Sequence, residues 1–354
     1  MKVLVTGHDG YIGAVLVPLL LGEGHEVSGL DSGLFSRCDF PAAPPIAAAP
    51  ERRADLRDLR PEDLEGFDAV VHLAALSNDP LGNLDPTLTT AINYDASLRL
   101  AELAKRAGVE RFLFSSSCST YGAAGDDGLL AEDAPFQPVT PYAVEKVRLE
   151  RALSRLADDD FSPVYLRNAT AYGLSRRLRL DLVLNNLVGW AVTTGRVLLL
   201  SDGTPWRPIV HVEDIARAFA AMLRAPRETI HDQAFNVGRS AHNYRIRELG
   251  EIVEATVPGA RLEIAEGAGP DKRSYRVDFS KLESTFPDWN PQWDAARSAQ
   301  RLYRAYLEAG LEHADMEAPT YVRLKHLEDL IARGLLDGEL RWRSAAAAAP
   351  ATAR

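Results

Sequence analysis

The chain has 354 residues, enough to bury a sizeable core in one large domain or in two closely packed ones. Its 40 lysine and arginine residues stand against 50 aspartate and glutamate residues, and the net charge of −10 gives no electrostatic reason to bind nucleic acid or an anionic membrane surface. A locally basic pocket for an anionic ligand is compatible with that balance.

Three further features narrow the class of protein. No uninterrupted apolar stretch is long enough to span a bilayer, and the N-terminus runs into a strand pattern without a cleavable apolar segment. Two cysteines, Cys38 and Cys118, are too few for a disulfide framework. The histidines show no HExxH or paired-cysteine spacing, so no metal site is predicted. Together these features predict a soluble, cytoplasmic, globular protein.

Short β-branched runs alternate with helical patterns over the first two-thirds of the chain. The runs are almost continuously apolar, which is typical of parallel strands covered on both faces. The predicted strands are residues 2–7, 25–31, 68–76, 111–117 and 163–169. The helical segments between them end at glycine, as in "LVPLLLGEG". This rhythm predicts an α/β fold with a doubly wound parallel sheet of the Rossmann type.

The alternation weakens after about residue 174, where strands and single helices mix. We therefore expect a first domain over 1–173, to which segments of about 208–238 return. A second, smaller α+β domain is predicted from 174–207 and 239–343, and 344–354 is predicted to be a mobile tail.

Gly7, Gly10 and Gly13 in "TGHDGYIG" lie between the first strand and the first helix. A glycine-rich turn there lets the backbone approach a pyrophosphate beside the positive end of a helix. Asp31 closes the second strand close to the distance of about 20 residues at which a carboxylate meets an adenosine ribose. That carboxylate would repel a 2′-phosphate, so NAD is favoured over NADP, although Arg37 would weaken the preference. Taken alone, the glycines also fit an ordinary turn.

Tyr142 and Lys146 in "TPYAVEKVRLE" lie four residues apart, on one face of a helix that Thr140 caps and Pro141 begins. A free phenol has a pKa of about 10, too high for a base at neutral pH. A nearby ammonium and an oxidised nicotinamide would favour the phenolate and lower that pKa. The competing interpretation is a pair of ordinary surface neighbours.

Three serines, Ser115 to Ser117, end the predicted strand 111–117. The carboxyl edge of an open α/β sheet is where ligands bind, so the run is interpreted as a strand end that enters a cleft. A serine hydroxyl there can bind the substrate oxygen whose proton the tyrosine removes.

The conjunction of these motifs resembles the extended short-chain dehydrogenase/reductase family, and within it the nucleotide-sugar epimerases and dehydratases. The resemblance rests on the glycine turn, "HLAA" (72–75), Asn93, the serine cluster ending in "YG", and the YxxxK spacing. The resemblance implies a dinucleotide-binding first domain, a nucleotide-sugar-binding second domain, and a homodimer paired through helices 90–107 and 141–157.

The resemblance also assigns roles to individual residues. The catalytic residues it implies are Ser117, Tyr142 and Lys146. The cofactor-binding residues, besides Tyr142 and Lys146, are Gly7, Gly10, Tyr11, Ile12, Gly13, Asp31, Asp55, Leu56, Leu73, Ala74, Ala75 and Asn93. Asp55 is expected to reach the adenine amino group, although taken alone it is better explained as a solvated carboxylate. The nucleotide-sugar contacts are Ser119, Asn168, Arg207, Asn236 and Arg273.

The chemistry implied by the resemblance begins with Tyr142, which takes the proton of a sugar hydroxyl, expected at C4, while hydride passes to NAD⁺. The family's 4,6-dehydratases carry Asp-Glu directly after the catalytic residue, where this chain has Cys118 and Ser119, so dehydration is disfavoured. Cys118 is interpreted as a small buried apolar group.

Four hypotheses therefore stay open, and the preferred one is 4-epimerisation with a retained cofactor. A 4-keto-sugar reductase would use the same residues in reverse. A uronic acid decarboxylase would hold a carboxylate with the arginines of "LSRRLRLD" (174–181), although such enzymes carry Glu at the position of Ser119. A non-catalytic NAD-binding protein is the fourth. The unusual stretch 76–86 is expected to face the sugar.

Overall fold

The structure is a computed structural model that describes residues 1–77, 79–122, 128–267, 269 and 274–344. Arg273 and the predicted tail beyond Ser344 lie outside the described residues. None of the helices in the described ranges is long and apolar enough to cross a membrane. Those ranges also contain no group of three or more His, Cys, Asp and Glu side chains placed to hold a metal ion.

The secondary structure alternates strands and helices along the chain. The strands are β1 (Lys2–Thr6), β2 (Glu26–Asp31), β3 (Glu51–Arg53), β4 (Ala69–His72), β5 (Arg111–Ser117), β6 (Leu129–Leu130), β7 (Ser162–Asn168), β8 (Thr170–Tyr172), β9 (Arg196–Leu199), β10 (Trp206–His211), β11 (Gln233–Val237), β12 (Asn243–Arg245), β13 (Arg261–Ile264) and β14 (Arg276–Val277). The α-helices are α1 (Gly13–Gly22), α2 (Asp79–Leu84), α3 (Pro86–Thr90), α4 (Ser97–Arg106), α5 (Pro141–Ser154), α6 (Val183–Thr194), α7 (Val212–Arg224), α8 (Arg227–Ile230), α9 (Ile246–Thr256), α10 (Ser280–Thr285), α11 (Ala295–Glu308) and α12 (Arg323–Ala332).

The main sheet contains seven strands in the order β11-β7-β5-β4-β1-β2-β3, and every neighbouring pair is parallel. All five predicted strands are members of this sheet. The prediction of a Rossmann-type parallel sheet is therefore confirmed. Strand β3 was not predicted because its three residues, "ERR", are charged and exposed and show no apolar pattern.

Helices cover both faces of the sheet, because successive side chains of each strand point to opposite sides. Leu113 of β5 packs with Leu16 of α1 and Phe219 of α7. Its neighbour Phe112 belongs to the opposite layer, formed by α4 and α5. Continuous burial on both sides explains why the strands are apolar along their whole length.

A second hydrophobic core lies beside the first and contains residues of α6, α9, α11, β9 and β13. Three smaller sheets accompany the main one. Strand β10 pairs in parallel with β8 and antiparallel with β12, β13 pairs with β9, and β14 pairs with β6. Although β11 lies late in the chain, it joins the main sheet beside β7.

A buried polar network holds α5 against the ends of β5 and β7. Arg167 of β7 and Glu150 of α5 are only 5% and 4% exposed, and their closest oxygen and nitrogen atoms are 2.7 Å apart. The hydroxyl of Ser116 also donates to Glu150, and the Nη1 atom of Arg167 donates to the carbonyl of Glu132 over 2.8 Å. The network fixes the helix that carries Tyr142 and Lys146 relative to the strand that carries Ser117.

We predict that Glu150→Gln destabilises the protein far more than the loss of an exposed ion pair. The change leaves the Arg167 charge buried without its counter-charge, and breaking a buried pair in this way costs about 3–5 kcal/mol. The exposed pair Arg196–Glu263, whose side chains are 56% and 41% accessible, provides the control. Glu263→Gln is expected to cost at most about 1 kcal/mol. Urea unfolding measures both values, and similar losses in the two variants would contradict the role of the network.

Candidate active site

A cavity of about 690 Å³ opens at the carboxyl ends of the central strands. Its lining comes from the turn after β1, the ends of β2, β5 and β7, the loop after β4, and the beginning of α5. This is the edge at which open parallel sheets bind their ligands. Parallel strands thus bring together the predicted site residues that lie far apart in the sequence.

The glycine turn has the close contacts that a dinucleotide-binding turn requires. Gly7 has a φ of 76°, and a Cβ atom there would lie 2.7 Å from the backbone nitrogen of Ala74. At Gly13, where α1 begins, a Cβ atom would lie 2.4 Å from the carbonyl oxygens of Gly7 and His8. Gly7, Gly10, Tyr11, Ile12 and Gly13 all line the cavity. The absence of side chains leaves a backbone cradle beside a helix N-terminus, which fits the diphosphate of NAD.

Asp31 lies at the end of β2 and lines the cavity next to this cradle. Its two carboxylate oxygens accept hydrogen bonds from the backbone N–H groups of Gly33, over 2.7 Å, and Asp9, over 3.2 Å. These bonds orient the carboxylate at the position predicted for an adenosine ribose. The guanidinium of Arg37, the charge expected to weaken the preference for NAD over NADP, lies 5.7 Å from the ring centre of Trp342.

Asp55 also lines the cavity, but its carboxylate is held by a neighbour. It caps a short 3-10 helix, Leu56–Asp58, and accepts two bonds from the Arg57 guanidinium, over 2.9 and 2.6 Å. The predicted adenine contact therefore has to be made by a carboxylate that is already oriented by an arginine. Leu56, Leu73, Ala74 and Ala75 line the cavity as well.

Asn93, expected among the cofactor-binding residues, uses its amide inside the fold. Its side chain is buried, its Oδ1 atom accepts from the N–H of Leu76 over 2.8 Å, and its Nδ2 atom donates to the Leu76 carbonyl over 3.0 Å. It is not part of the cavity lining. Asn93 thus fixes the loop after β4 at Leu76, and its direct contact with the cofactor stays a prediction.

The three predicted catalytic residues converge inside the cavity. Ser117 ends β5, and Tyr142 and Lys146 lie one turn apart at the start of α5, where Thr140 caps the helix as predicted. Tyr142 and Ser117 both line the cavity, and the Ser117 side chain acts to lower the pKa of the Tyr142 phenol. The Nζ atom of Lys146 donates to the carbonyl of Ser115 over 2.7 Å and lies 5.5 Å from the centre of the Tyr142 ring.

Burial shifts the pKa values of Tyr142 and Lys146 in opposite directions. The pKa of Tyr142 is raised to about 12, because burial and the nearby Asp79 carboxylate disfavour the phenolate more than Arg179 and the Ser117 side chain favour it. Burial lowers the pKa of Lys146 to about 7, against the opposing effect of Glu150. Burial thus acts against the charged form of both groups in the protein alone, and the lowering of the phenol pKa by the lysine together with an oxidised nicotinamide stays a prediction.

Two further charged residues line the cavity: Asp79, which was not predicted as a site residue, and Arg179, one of the arginines of 174–181. Asp79 begins α2 and accepts a hydrogen bond from the Thr140 hydroxyl over 2.7 Å. Arg179 forms two bonds with Asp181, of 3.0 and 2.8 Å, and one of 3.2 Å with the hydroxyl of Ser77. The unusual stretch 76–86 was the available signal, because Leu76, Ser77, Asp79 and Pro80 line the cavity beside Tyr142.

The arginines of "LSRRLRLD" are paired with carboxylates. Arg176 bonds to Asp39, Arg177 bonds to Asp9 over 2.6 Å, and Arg179 bonds to Asp181. This pairing weakens the hypothesis that the segment serves to hold the carboxylate of a sugar acid.

The predicted nucleotide-sugar contacts fall into two groups. Ser119, Asn168 and Arg207 line the cavity. The Oγ atom of Ser119 and the Oδ1 atom of Asn168 are buried without a hydrogen-bond partner in the described part of the chain, so each is available to a ligand. Arg207 lies with its guanidinium carbon 6.0 Å from the ring centre of Tyr275. Arg273 lies outside the described residues.

Asn236 does not line the cavity and is fully buried. Its Oδ1 atom accepts from the Tyr121 hydroxyl over 2.7 Å, and its Nδ2 atom donates to the carbonyls of Leu130 and Asp278. Its amide is therefore used inside the fold, and the predicted contact with the nucleotide sugar is not supported by its position.

Cys118 is buried beneath the site. Its Sγ atom donates to the carbonyl of Arg167 over 3.1 Å, and burial raises the pKa of the thiol well above its usual value. A protonated, enclosed thiol is a poor nucleophile. This agrees with its interpretation as a packing residue.

Comparison with known proteins identifies the family. A sequence profile described as the NAD dependent epimerase/dehydratase family matches residues 3–238, and the chain belongs to this family. The family resemblance and the choice of NAD as cofactor are thereby confirmed. The match ends before α9, so the C-terminal third lies outside it.

Two relatives and one solved structure are similar to most of the chain. The UDP-glucose 4-epimerase of Corynebacterium glutamicum is 30% identical over 308 residues, covering 82% of this chain and 91% of the relative. The UDP-glucose 4-epimerase of Mycolicibacterium smegmatis is 31% identical over 306 residues, covering 82% and 94%. The solved structure of MoeE5 in complex with UDP-glucose and NAD has a TM-score of 0.72 at 29% identity and covers 87% of this chain and 99% of MoeE5. Location in the cytoplasm and pairing through helices 90–107 and 141–157 stay predictions.

The low pKa of Lys146 makes stability depend on pH in a defined window. Between the folded pKa of about 7 and the ordinary lysine value of 10.5, the unfolded chain binds a proton that the folded chain releases. Stability contributed by this site therefore rises with pH through the window. We expect the free energy of unfolding of Lys146→Met, relative to wild type, to fall as pH rises, by at most about 1.4 kcal/mol per pH unit.

Urea unfolding at several pH values measures this difference. Lys325→Met is the control, because the Lys325 side chain is 40% exposed, and its difference from wild type should be flat. A Lys146→Met difference that is equally flat would show that the amine is not held neutral by burial.

Proposed function

We propose that the protein is an NAD-dependent epimerase of a nucleotide-activated sugar, acting at C4 through a 4-keto intermediate, with Tyr142 as the base. The observation that carries the proposal is that Ser117, Tyr142 and Lys146 line the same cavity as the glycine cradle, with the Lys146 Nζ atom 5.5 Å from the centre of the Tyr142 ring. The two curated relatives compared above are named UDP-glucose 4-epimerases, which supports the same reaction class.

Each residue of the trio has a distinct task in this mechanism. Bound NAD⁺ supplies the hydride acceptor and a positive charge in the cavity. The phenol oxygen of Tyr142 takes the proton of the sugar C4 hydroxyl and later returns it. The Ser117 hydroxyl, oriented by the N–H of Ser119 over 3.1 Å, binds the same substrate oxygen and restricts its position. Lys146 is fixed by its bond to Ser115 and keeps one face of the phenol covered.

The residues that follow Ser117 favour epimerisation over dehydration. Loss of water requires an acid and a base besides the tyrosine, and Cys118 and Ser119 provide neither. The acids that do line this end of the cavity are engaged: Asp181 holds Arg179, and Asp79 accepts from Thr140. Epimerisation requires no further acid, because the tyrosine both removes and returns the proton.

Binding of the nucleotide diphosphate is assigned to Arg207, with Ser119 and Asn168 near the sugar. A guanidinium suits a diphosphate, since its donors form paired, charge-assisted hydrogen bonds. Ser119 and Asn168 each direct an unpartnered buried oxygen at the ligand space, which suits the hydroxyl groups of a sugar.

A 4-keto-sugar reductase is the second candidate, because the same trio catalyses hydride transfer in the opposite direction. The intact Ser117, Tyr142 and Lys146 argue against a protein that only binds the cofactor. The carboxylate-paired arginines of 174–181 argue against a decarboxylase.

The candidates are separated by incubating pure protein with UDP-, dTDP-, GDP- and CDP-sugars without added cofactor. We expect interconversion of C4 epimers at catalytic turnover, detected by NMR of the sugar ring protons, because the hydride returns to the sugar from which it came. Turnover that requires a 4-keto sugar and added reduced cofactor would instead identify a reductase. Release of CO₂ from a nucleotide uronic acid would identify a decarboxylase.

The role of Tyr142 is tested by Tyr142→Phe. We expect turnover to fall by a factor of about 10²–10⁴, the usual contribution of a positioned acid–base group, while NAD still binds. Tyr303→Phe is the matched control, because Tyr303 packs against the second core and does not line the cavity. Turnover of Tyr142→Phe close to that of wild type would falsify the assignment of the base.

A further inference from the structure

Residues 323–344, called here the C-terminal segment, form α12 followed by a tight hairpin. In the hairpin Leu336 and Trp342 pair antiparallel, and the N–H of Asp337 donates to the carbonyl of Arg341 over 2.9 Å. The leucines of the segment form one hydrophobic cluster with leucines of the cofactor domain. Its buried members are Leu34, Leu76, Leu81, Leu327, Leu330, Leu336 and Leu340.

Polar contacts bind the C-terminal segment to the loop that follows Asp31. The indole nitrogen of Trp342 donates to the carbonyl of Ser32 over 2.8 Å. The Nε2 atom of His326 lies 3.0 Å from the carbonyl of Leu34. The segment thus covers the loop that carries the predicted ribose carboxylate.

A second set of contacts binds the segment to the loop that follows Asp55. Arg57, which orients Asp55, also donates to the carbonyl of Glu339 over 2.9 Å. Arg341 forms an ion pair of 2.6 Å with Asp58. The same hairpin therefore bridges both loops at the adenosine end of the cavity.

Two side chains of the segment enter the cavity lining itself, Leu340 and Arg323. Leu340 is 2% exposed and has a φ of 58°. A leucine in the left-handed region costs about 1–2 kcal/mol, so the surrounding packing must hold it there. The consequence is an apolar side chain placed beside Ser32 and Leu56 in the lining.

Arg323 is a buried cation with unused hydrogen-bonding capacity. It is 2% exposed, its Nη2 atom donates to the carbonyl of Arg177 over 2.7 Å, and its guanidinium carbon lies 4.8 Å from the ring centre of Phe35. Its Nη1 atom is buried and has no hydrogen-bond partner among the described residues. A buried guanidinium that faces a carbonyl and an aromatic ring is stabilised when an anion reaches its free edge.

The position of Arg323 indicates which anion this is. Arg177, whose carbonyl holds Arg323, bonds through its own guanidinium to Asp9 of the glycine turn over 2.6 and 2.9 Å. Arg323 is therefore connected through one residue to the backbone cradle for the diphosphate. Arg177 and Arg179 already have carboxylate partners, so their charges are engaged within the protein.

We propose that Arg323 is a cofactor-binding residue that donates to a phosphate oxygen of the dinucleotide, and that the C-terminal segment holds the adenosine end of NAD in its cavity. The glycine cradle would bind the diphosphate through backbone N–H groups, and Arg323, which lines the same cavity, would add a charged side chain. The proposal depends on the cofactor and not on which sugar reaction follows.

The test compares a phosphate-bearing ligand with a phosphate-free one. Affinities of ADP and adenosine for the nucleotide-free full chain are measured by displacement of NADH fluorescence, which also reports on weak ligands. We expect Arg323→Gln to weaken ADP binding about tenfold, the value of one charge-assisted hydrogen bond, and to leave adenosine binding within about twofold of wild type. An equal loss for both ligands, or no loss for either, would overturn the proposal.

The control, Arg333, caps the C-terminal end of the same helix. The Arg333 side chain is 58% exposed and pairs with Asp329, so Arg333→Gln should leave both affinities unchanged. If Arg323→Gln does not fold, the ADP and adenosine affinities of Arg323→Lys test the proposal instead. Lysine keeps the charge of Arg323 but lacks the planar guanidinium, which can donate to the Arg177 carbonyl and to the ligand at the same time. ADP binding should therefore weaken, and adenosine binding should stay unchanged.

Discussion

The buried attachment of α5 to the ends of β5 and β7 is the constraint on which the active site depends. Tyr142, Lys146 and Glu150 recur every four residues and therefore share one face of the helix. Glu150 bonds to Arg167 and Ser116, and Lys146 bonds to the carbonyl of Ser115. The face that presents the phenol is thus the face bonded to the strands, and the distance between Tyr142 and Ser117 follows from contacts in the interior.

The same burial explains the charge states of the site. An enclosed phenol is kept protonated and an enclosed amine is pushed towards its neutral form, so the pKa of Tyr142 rises to about 12 and that of Lys146 falls to about 7. Arg179 acts in favour of the phenolate and Asp79 against it. Further positive charge in the cavity would favour the phenolate, which is the direction that the proposed proton removal by Tyr142 requires.

Much of this arrangement could be predicted from local patterns. Apolar strands, a glycine turn and a capped helix each depend on neighbours in the sequence, so the sheet, the cradle and the position of Tyr142 could be predicted. The side-chain partners of Asn93 and Asn236 could not, because an amide in a motif looks the same whether it faces a ligand or a buried carbonyl. Arg323 gave no signal, since it lies some 180 residues from Tyr142 and reaches the cavity only through tertiary packing.

An epimerase and a 4-keto-sugar reductase would use the same three residues, Ser117, Tyr142 and Lys146, so these residues do not separate the two functions. The C-terminal segment provides an independent argument. An epimerase returns the hydride to the sugar it came from, so its cofactor must stay bound throughout turnover, whereas a reductase exchanges its cofactor in every cycle. Trp342 and Arg57 bond the hairpin to both loops at the adenosine end, and Leu340 of the hairpin is buried. Release of the cofactor past this segment would require these contacts to separate together. A C-terminal segment that holds the adenosine end, as proposed above, would suit a retained cofactor and so supports the proposed epimerisation over reduction.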